Sequence, residues 1–365
     1  MRTTSSLFAV ALLAVAGFCH ATPDNGGKAA NAETVLSDPS FQAQSQAYLQ
    51  AMNDALATST DPHDWVLASI TNLSILSSHR EAANRLLQRA AQALPDDAST
   101  QWLTVQFCDS AKRDADCDNA VSALERIEPD NAAVWMQSLQ HAARHSDTVG
   151  VEVALEHMVA STHFDDHVVD VREKIVAAYQ RFPLPEHLVA RIRDMGPGIT
   201  AQNFPYVMAG ATANAIALPA YQHLIRACTI DAQRGLHAGR KADCAKIGRM
   251  LATQGPNLVA NRIGFALLRV SHTFNDADVQ SARALDWVMA HYPKSGANEP
   301  ATAIIDFSKD WIATGSEFGA LRLAMQRANI AMIPPADWVD EQSPFSERRV
   351  QEDQRRATER TAETF

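Results

Sequence analysis

From Pro39 to about Met332, apolar residues recur three and four positions apart, the spacing of one face of an α-helix. Asp64-Trp65-Val66-Leu67 opens one such stretch, running to about Leu76. Ser77-Ser78-His79-Arg80-Glu81 makes a turn and a new helix start. Ala83, Leu86, Leu87, Ala90 and Leu94 then line one face, and Pro95-Asp96-Asp97 stops that helix and caps the next. The sequence repeats this plan. Trp102, Leu103 and Phe107 belong to a first helix, Val121, Leu124 and Ile127 to a second, and Pro129-Asp130-Asn131 closes the pair. Ala, Leu, Gln and Arg dominate, all good helix formers. Alternating β-branched runs bounded by Gly or Asn are nearly absent, so no sheet is expected. The fold class is all-α, built of antiparallel helical hairpins.

The pattern breaks at 183–206, where Pro183, Pro185, Gly196-Pro197-Gly198 and Pro205 cluster. This predicts a boundary between an array over 39–182 and a second over 207–332. In the second, helices are expected at Leu218–Gln233, Lys241–Thr253 and Asn257–Phe274. Asp278 should cap Val279–His291, which Pro293 ends, and two more helices fit 300–313 and 316–331. Residues 333–365 form a charged tail. From Glu341 onward it carries six acids and five arginines, with pairs such as Glu352 and Arg356 at helical spacing.

The N-terminus changes the compartment. Arg2 precedes an apolar run from Leu7 to Phe18, too short to span a membrane. Cys19-His20-Ala21 places small residues three and one positions before a cut after Ala21, the layout of a cleaved signal peptide over 1–21. Residues 22–38 read as a flexible exit segment. Lipid attachment at Cys19 is disfavoured, because Phe18 stands where a small residue is needed. The expected location is periplasmic or secreted. Four cysteines then remain, an even number that suits disulfides in an exported chain. The formal charge of −10 is mildly acidic and no basic patch stands out, which argues against a nucleic-acid partner. No later run reaches membrane-spanning length, so no integral membrane segment is expected after signal removal.

Two local patterns repeat. Ala-Asp-Cys at 115–117 and at 242–244 is each followed by eleven residues and a proline, Pro129 and Pro256. Breaks also recur at a fixed interval: Asp61-Pro62, Pro95, Pro129 and the acidic turn His163-Phe164-Asp165-Asp166 stand 34 residues apart. In this the chain, over about 60–180, resembles the tetratricopeptide-repeat family, which has that period and a helix-turn-helix unit. Ala83, Leu87, Ala90 and Pro95, and in the next unit Cys117, Val121, Leu124 and Pro129, stand where the family has small, large, small and helix-ending residues. The first helices depart from it, with Thr71 and Ser74, then Val105 and Cys108, in place of the family's Gly and Tyr. The resemblance implies a divergent solenoid of stacked hairpins that binds a protein or peptide. In the family, first helices line a concave groove, so Asn72, Gln101, Gln106, Gln137, Gln140 and His141 become candidates for partner contact. A basic clamp on those helices is not expected, since 64–76 and 98–108 hold no Lys or Arg. Trp65, Trp102 and Trp135, at similar places in successive units, are read as packing between hairpins. The repeat reading also brings Cys108 near Cys117 and Cys228 near Cys244, as two local structural staples.

Catalytic signatures are missing. There is no glycine-flanked serine elbow, phosphate-cradling loop or dinucleotide fingerprint, and no cofactor is implied. His163, Asp166 and His167, close to His157, offer a weak alternative metal or hydrolase site, though the metalloprotease spacing is absent. His141 and His145 share the four-residue spacing. The small-residue stretch Ala209–Ala217 around Gly210 is read as close helix packing. The sequence therefore favours a non-catalytic binding scaffold, with a hydrolase or a secreted effector or its neutralising partner as alternatives. Mass spectrometry of non-reduced digests is expected to find Cys108–Cys117 and Cys228–Cys244 linkages; free thiols or crossed pairing would overturn the hairpin reading.

Overall fold

A computed structural model describes residues 34, 35, 37–75, 80–107, 115–195, 198–217, 219, 221–231, 239–292, 300–338 and 355. The expected signal segment, Cys19, Cys108, Pro293 and most of the tail lie outside them. Among the described residues the chain is all-helical: α1 (Pro39–Ala57), α2 (Pro62–Ile75), α3 (Arg80–Ala93), α4 (Ala98–Phe107), α5 (Ala115–Ile127), α6 (Ala132–Arg144), α7 (Thr148–Ala160), α8 (Val168–Arg181), α9 (Glu186–Met195), α10 (Phe204–Ala217), α11 (Gln222–Arg226), α12 (Arg240–Gln254), α13 (Leu258–Val270), α14 (Asp276–His291), α15 (Pro300–Thr314) and α16 (Glu317–Arg327). α11 runs on as a π-helical turn, Ala227–Asp231. An isolated bridge between Asn131 and His163 is the one extended pairing seen among these residues.

Turn chemistry sets the boundaries. α3, α5 and α12 each end two residues before a proline (Pro95, Pro129 and Pro256). The residue before proline is pushed out of the α region, so the helix stops there. The next helix is then capped by a short polar side chain: Asp97 accepts from Thr100 N at 2.7 Å, Asn131 from Ala133 N at 3.1 Å and Asn257 from Ala260 N at 2.8 Å. α14 differs in detail from the sequence expectation. Asn275 is its N-cap, and Asp278 reaches back to the Asn275 N–H at 3.0 Å, completing a capping box. The expected helix from Leu218 is delayed to Gln222, because Pro219 lacks the N–H a helix interior needs.

The chain divides into two compact units, each discontinuous in sequence. The first takes α1–α5, then α8–α10, then most of α15. The proline-rich stretch 183–206 falls wholly inside it, so the boundary expected there is not a division between the units. Pro183 and Pro185 instead precede α9 and Pro205 lies in the first turn of α10, and Leu184, Leu188, Val189, Ile192, Ile199 and Phe204 are buried.

Within the first unit, consecutive helices α1 to α5 pack side by side, and later helices return onto them: α8 against α2, α10 against α4 and α9 against α1. The second helices, α3 and α5, are amphipathic, with Ala83, Leu87 and Ala90, and Cys117, Ala120, Val121 and Leu124 inward. The first helices are not. Every residue of α4 from Ser99 to Val105 is buried, and so are Ser69, Ile70, Thr71 and Asn72 of α2. Most of these buried hydroxyls are satisfied locally: Ser69 donates to Val66 O, Thr71 to Ala68 O, Thr104 to Thr100 O and Ser99 to the Asp97 carboxylate. Polar ties hold the returning helices. Arg181 of α8 pairs with buried Asp64 of α2, the Tyr48 hydroxyl donates to Phe182 O at 2.5 Å, and Arg191 of α9 meets Asp38 at 2.5 Å. The Arg191 guanidinium, after the Ser40 N–H of the α1 cap, helps hold the Asp38 carboxyl below its usual range. Gly210 of α10 faces Ser308 and Ile304 of α15, the close approach expected of the Ala-rich stretch, and Arg172 lies 3.7 Å over the buried Trp311 ring.

The second unit contains α6 and α7, then α11–α14, then α16. α6 pairs with α7 and α12 with α13; α11 packs on α6 and α12 on α7. Ala245, Phe265, Leu268, Phe274, Ala282 and Leu285 form a core cluster. Residues 331–338, which straddle the expected start of the charged tail at 333, dock on α14: Arg283 donates to the Pro335, Ala336 and Trp338 carbonyls and Trp287 Nε1 to Ala331 O at 2.7 Å.

α12 and α13 cross where Gly248 and Gly264 leave no side chains between them. A Cβ at Gly264 would stand 2.8 Å from Ala252 Cα, inside contact distance of a backbone that cannot yield cheaply. Gly264→Ala is therefore expected to destabilise the protein by about 1–3 kcal/mol in denaturant unfolding; an unchanged midpoint would refute this close crossing.

Candidate functional site

The six residues expected to face a partner fall in both units, Asn72, Gln101 and Gln106 in the first and Gln137, Gln140 and His141 in the second. Gln101 is 2 % exposed, and its amide donates to Ala91 O and Leu94 O, each at 3.0 Å. It closes the C-terminal end of α3, whose last carbonyls have no partner within the helix. Asn261 does the same for α12, donating to Leu251 O at 3.0 Å and Gly255 O at 3.2 Å. Asn72 and Gln137 are buried, Gln106 and Gln140 half-buried, and His141 exposed. His141 stacks against His145, with ring centroids 4.4 Å apart. The physical reason is the burial of the first helices: in the first unit α8 and α10 lie against α2 and α4, and in the second α11 lies against α6. The face that would line a groove is thus partly filled by the chain's own helices.

The His163, Asp166 and His167 side chains turn to separate partners. His163 is half-buried, with Nδ1 3.9 Å from Asp130. Asp166 is fully buried and accepts from Asn257 Nδ2 at 2.7 Å. His167 is buried, has a left-handed backbone (φ 55°), and its Nδ1 is 2.9 Å from Asp170. His157 is stacked on Trp135 at 3.7 Å. Among the described residues no three His, Cys, Asp or Glu side chains converge as a metal site would require. Burial first, then the Asp166 charge, pushes the nearby Tyr221 phenol well up, so it stays protonated.

Of the cysteines, Cys228 and Cys244 form a disulfide with Cα atoms 5.8 Å apart, tying the π turn after α11 to α12. Cys117 is buried and disulfide-bonded, while Cys108 lies outside the described residues. Trp65 and Trp135 are buried and occupy equivalent positions: each indole N–H donates to a carbonyl six residues back, Ser59 O at 2.8 Å and Pro129 O at 2.9 Å. They brace the turn before their own helix.

The first unit nonetheless has an open groove, of about 440 Å³, along α1, α2 and α3. Its polar lining is Gln50, Asn53, Asn72, Arg85 and Arg89, with Ala57, Ala82 and Leu86 between. No carboxylate lines it. Asn53 is 7 % exposed, and its buried carboxamide oxygen has no hydrogen-bond partner among the described residues. Arg89 lies 3.6 Å over the Trp65 ring, and Arg85 pairs with Glu81 at an exposed edge. Of these residues the sequence reading reached only Asn72. Arg85 and Arg89 sit four apart on the outer face of a second helix, where charge ordinarily means solvation. Their spacing was the available signal.

Comparison with known protein families, with curated proteins and with solved structures finds no match for this chain.

Asn257 carries two duties in the second unit, capping α13 and bonding the buried Asp166 carboxylate. Asn257→Ala should cost about 2–4 kcal/mol in chemical denaturation, a lost cap plus a lost bond to a buried acid. A loss no larger than a surface substitution gives would show that Asp166 does not depend on it.

Proposed function

We propose that the chain is an exported, tetratricopeptide-like helical scaffold, periplasmic or secreted, that binds an extended peptide segment of a protein partner and performs no catalysis. The observation that carries this reading is the groove along α1–α3, with a buried, unpartnered Asn53 carboxamide oxygen. A carboxamide offers one acceptor and two donors, the same functions a peptide backbone presents in reverse. Gln50, Asn53 and Asn72 together suit a main chain laid along the groove, largely independent of its side chains. Arg85 and Arg89, with no acid in the lining, add a preference for Asp, Glu or a C-terminal carboxylate.

Repeat character is supported by the like offsets of Pro95, Pro129 and Pro256 from the preceding helix ends and by the matching Trp65 and Trp135 bonds. Export is supported by the apolar Leu7–Phe18 run with its small-residue cut, and by the Cys228–Cys244 disulfide, a bond that persists in oxidising compartments.

The test is a peptide array probed with the mature protein. Peptides carrying acidic residues should be retained over neutral and basic ones, and Arg85→Ala should weaken retention roughly tenfold, the scale of one charge-assisted contact. Asn53→Leu, which removes the acceptor at similar volume, should weaken acidic and neutral peptides alike. Retention indifferent to both substitutions would sink the assignment of this groove.

A further inference from the structure

The second unit holds a second and chemically different cleft, of about 430 Å³. It is formed by the end of α6 (Ala143, Arg144), the turn and start of α7 (Ser146, Asp147, Thr148, Val151), α11 with its π turn (His223, Arg226, Ala227) and the first residue of α12, Arg240. Three arginines and a histidine from three separate segments thus border one space. They are not equivalent. Arg240 is buried, paired with Glu152 of α7 and bonded to Ala227 O, so its charge is internally balanced. Arg144 and Arg226 are exposed, and no carboxylate among the described residues pairs with either. Asp147, the one acid in the lining, spends an oxygen on the Gly150 N–H at the α7 cap, at 2.9 Å.

His223 reports what the two free arginines do. Its Nε2 is shut off from solvent and has no hydrogen-bond partner among the described residues. Burial first, then the Arg144 and Arg226 charges, hold its pKa below the ordinary histidine value. Two positive groups therefore border a space in which a further positive charge is disfavoured, and an anion there would offset them.

We propose that this cleft binds a small molecule through a phosphate monoester group, held by the guanidinium groups of Arg144 and Arg226 with His223 between them. Two arginine forks carried on different helices can approach a ligand from different directions, which suits a tetrahedral group with three free oxygens better than a flat carboxylate. The Ser146 and Thr148 hydroxyls border the same cleft and supply further donors. The cleft lies within the size range of small-molecule sites, roughly 300–1,000 Å³. The Cys228–Cys244 disulfide holds the backbone segment that bears His223 and Arg226 to α12, which lowers the cost of ordering that side of the cleft.

The experiment is calorimetric titration of the mature protein with inorganic phosphate and with glucose 6-phosphate, in chloride buffer at constant ionic strength, with citrate as the carboxylate control. Arg144 and Arg226 are exposed, so alanine variants leave the core untouched; circular dichroism checks this. Both phosphates should bind, the sugar phosphate more tightly, and each of Arg144→Ala and Arg226→Ala should weaken binding roughly tenfold or more. A second readout is the His223 ring by NMR. The charged groups around it are Arg144 from α6, Asp147 and Glu152 from α7, Arg226 on its own helix and Arg240 from α12. Phosphate should offset the first and fourth and raise the His223 pKa, whereas in Arg144→Ala that pKa should already be higher without ligand. Absence of binding, binding unchanged in both variants, or binding of citrate but not phosphate would each overturn the proposal.

Discussion

A buried helix end cannot leave its peptide groups unpaired, and the rest of this structure depends on how that demand is met. Each α-helix ends with carbonyls, and begins with N–H groups, that have no partner inside the helix. In a chain of mostly short helices packed against one another, many of those ends are buried. The turns answer with a small set of side chains: Asp97, Asn131 and Asn257 satisfy helix starts, and Gln101 and Asn261 satisfy the ends of α3 and α12. Asn131 goes further, donating to Asp165 O and accepting from Asp165 N, each at 2.9 Å, so that one amide organises two turns of the second unit. With the ends sealed, hairpins can pack at close range, as α12 and α13 do at Gly248 and Gly264.

The same economy explains the first helices. α2 and α4 are buried on most of their circumference, yet rich in Ser, Thr, Asn and Gln. Hydroxyls that bond a carbonyl three or four residues back need no solvent. For Ser69, Thr71, Gln101 and Thr104, polarity along these helices therefore signals internal satisfaction. Two polar atoms without a partner among the described residues border clefts: Asn53 Oδ1 beside Arg85 and Arg89 in one unit, and His223 Nε2 beside Arg144 and Arg226 in the other. Each of these clusters draws on helices that are separated by turns, and each gathers cations without an equal number of acids in a chain whose overall charge is negative.

Local features were legible in the sequence to the extent that their causes are local. The helix starts and stops around Pro95, Pro129 and Pro256 follow from proline sterics and Asx capping, which act over a few residues. The Cys228–Cys244 pairing followed from a hairpin separation of 16 residues. Gln101 and Gln137, by contrast, are candidates for partner contact in the sequence because a polar residue on a helix is normally at the surface, and both are buried. Whether it is depends on which distant helix lies against it, and nothing near Gln101 encodes the approach of α10. The Pro/Gly cluster at 183–206 shows a related limit. Punctuation marks the ends of helices, and it carries no information on whether the next helix stays in the same compact unit.

The amino-acid sequence by itself determined that this protein is helical, where most of its helices begin and end, and which pair of helices Cys228 and Cys244 tie together. All of these rest on steric and hydrogen-bonding effects within a few residues or one hairpin. Only the tertiary structure decided which helices return onto α2 and α4, that each compact unit is assembled from three separate stretches, and where unpaired polar groups converge. Those outcomes come from long-range burial: each amphipathic face must find another, and the choice among many apolar faces is made by shape and by a few buried polar matches that appear only after the chain has folded.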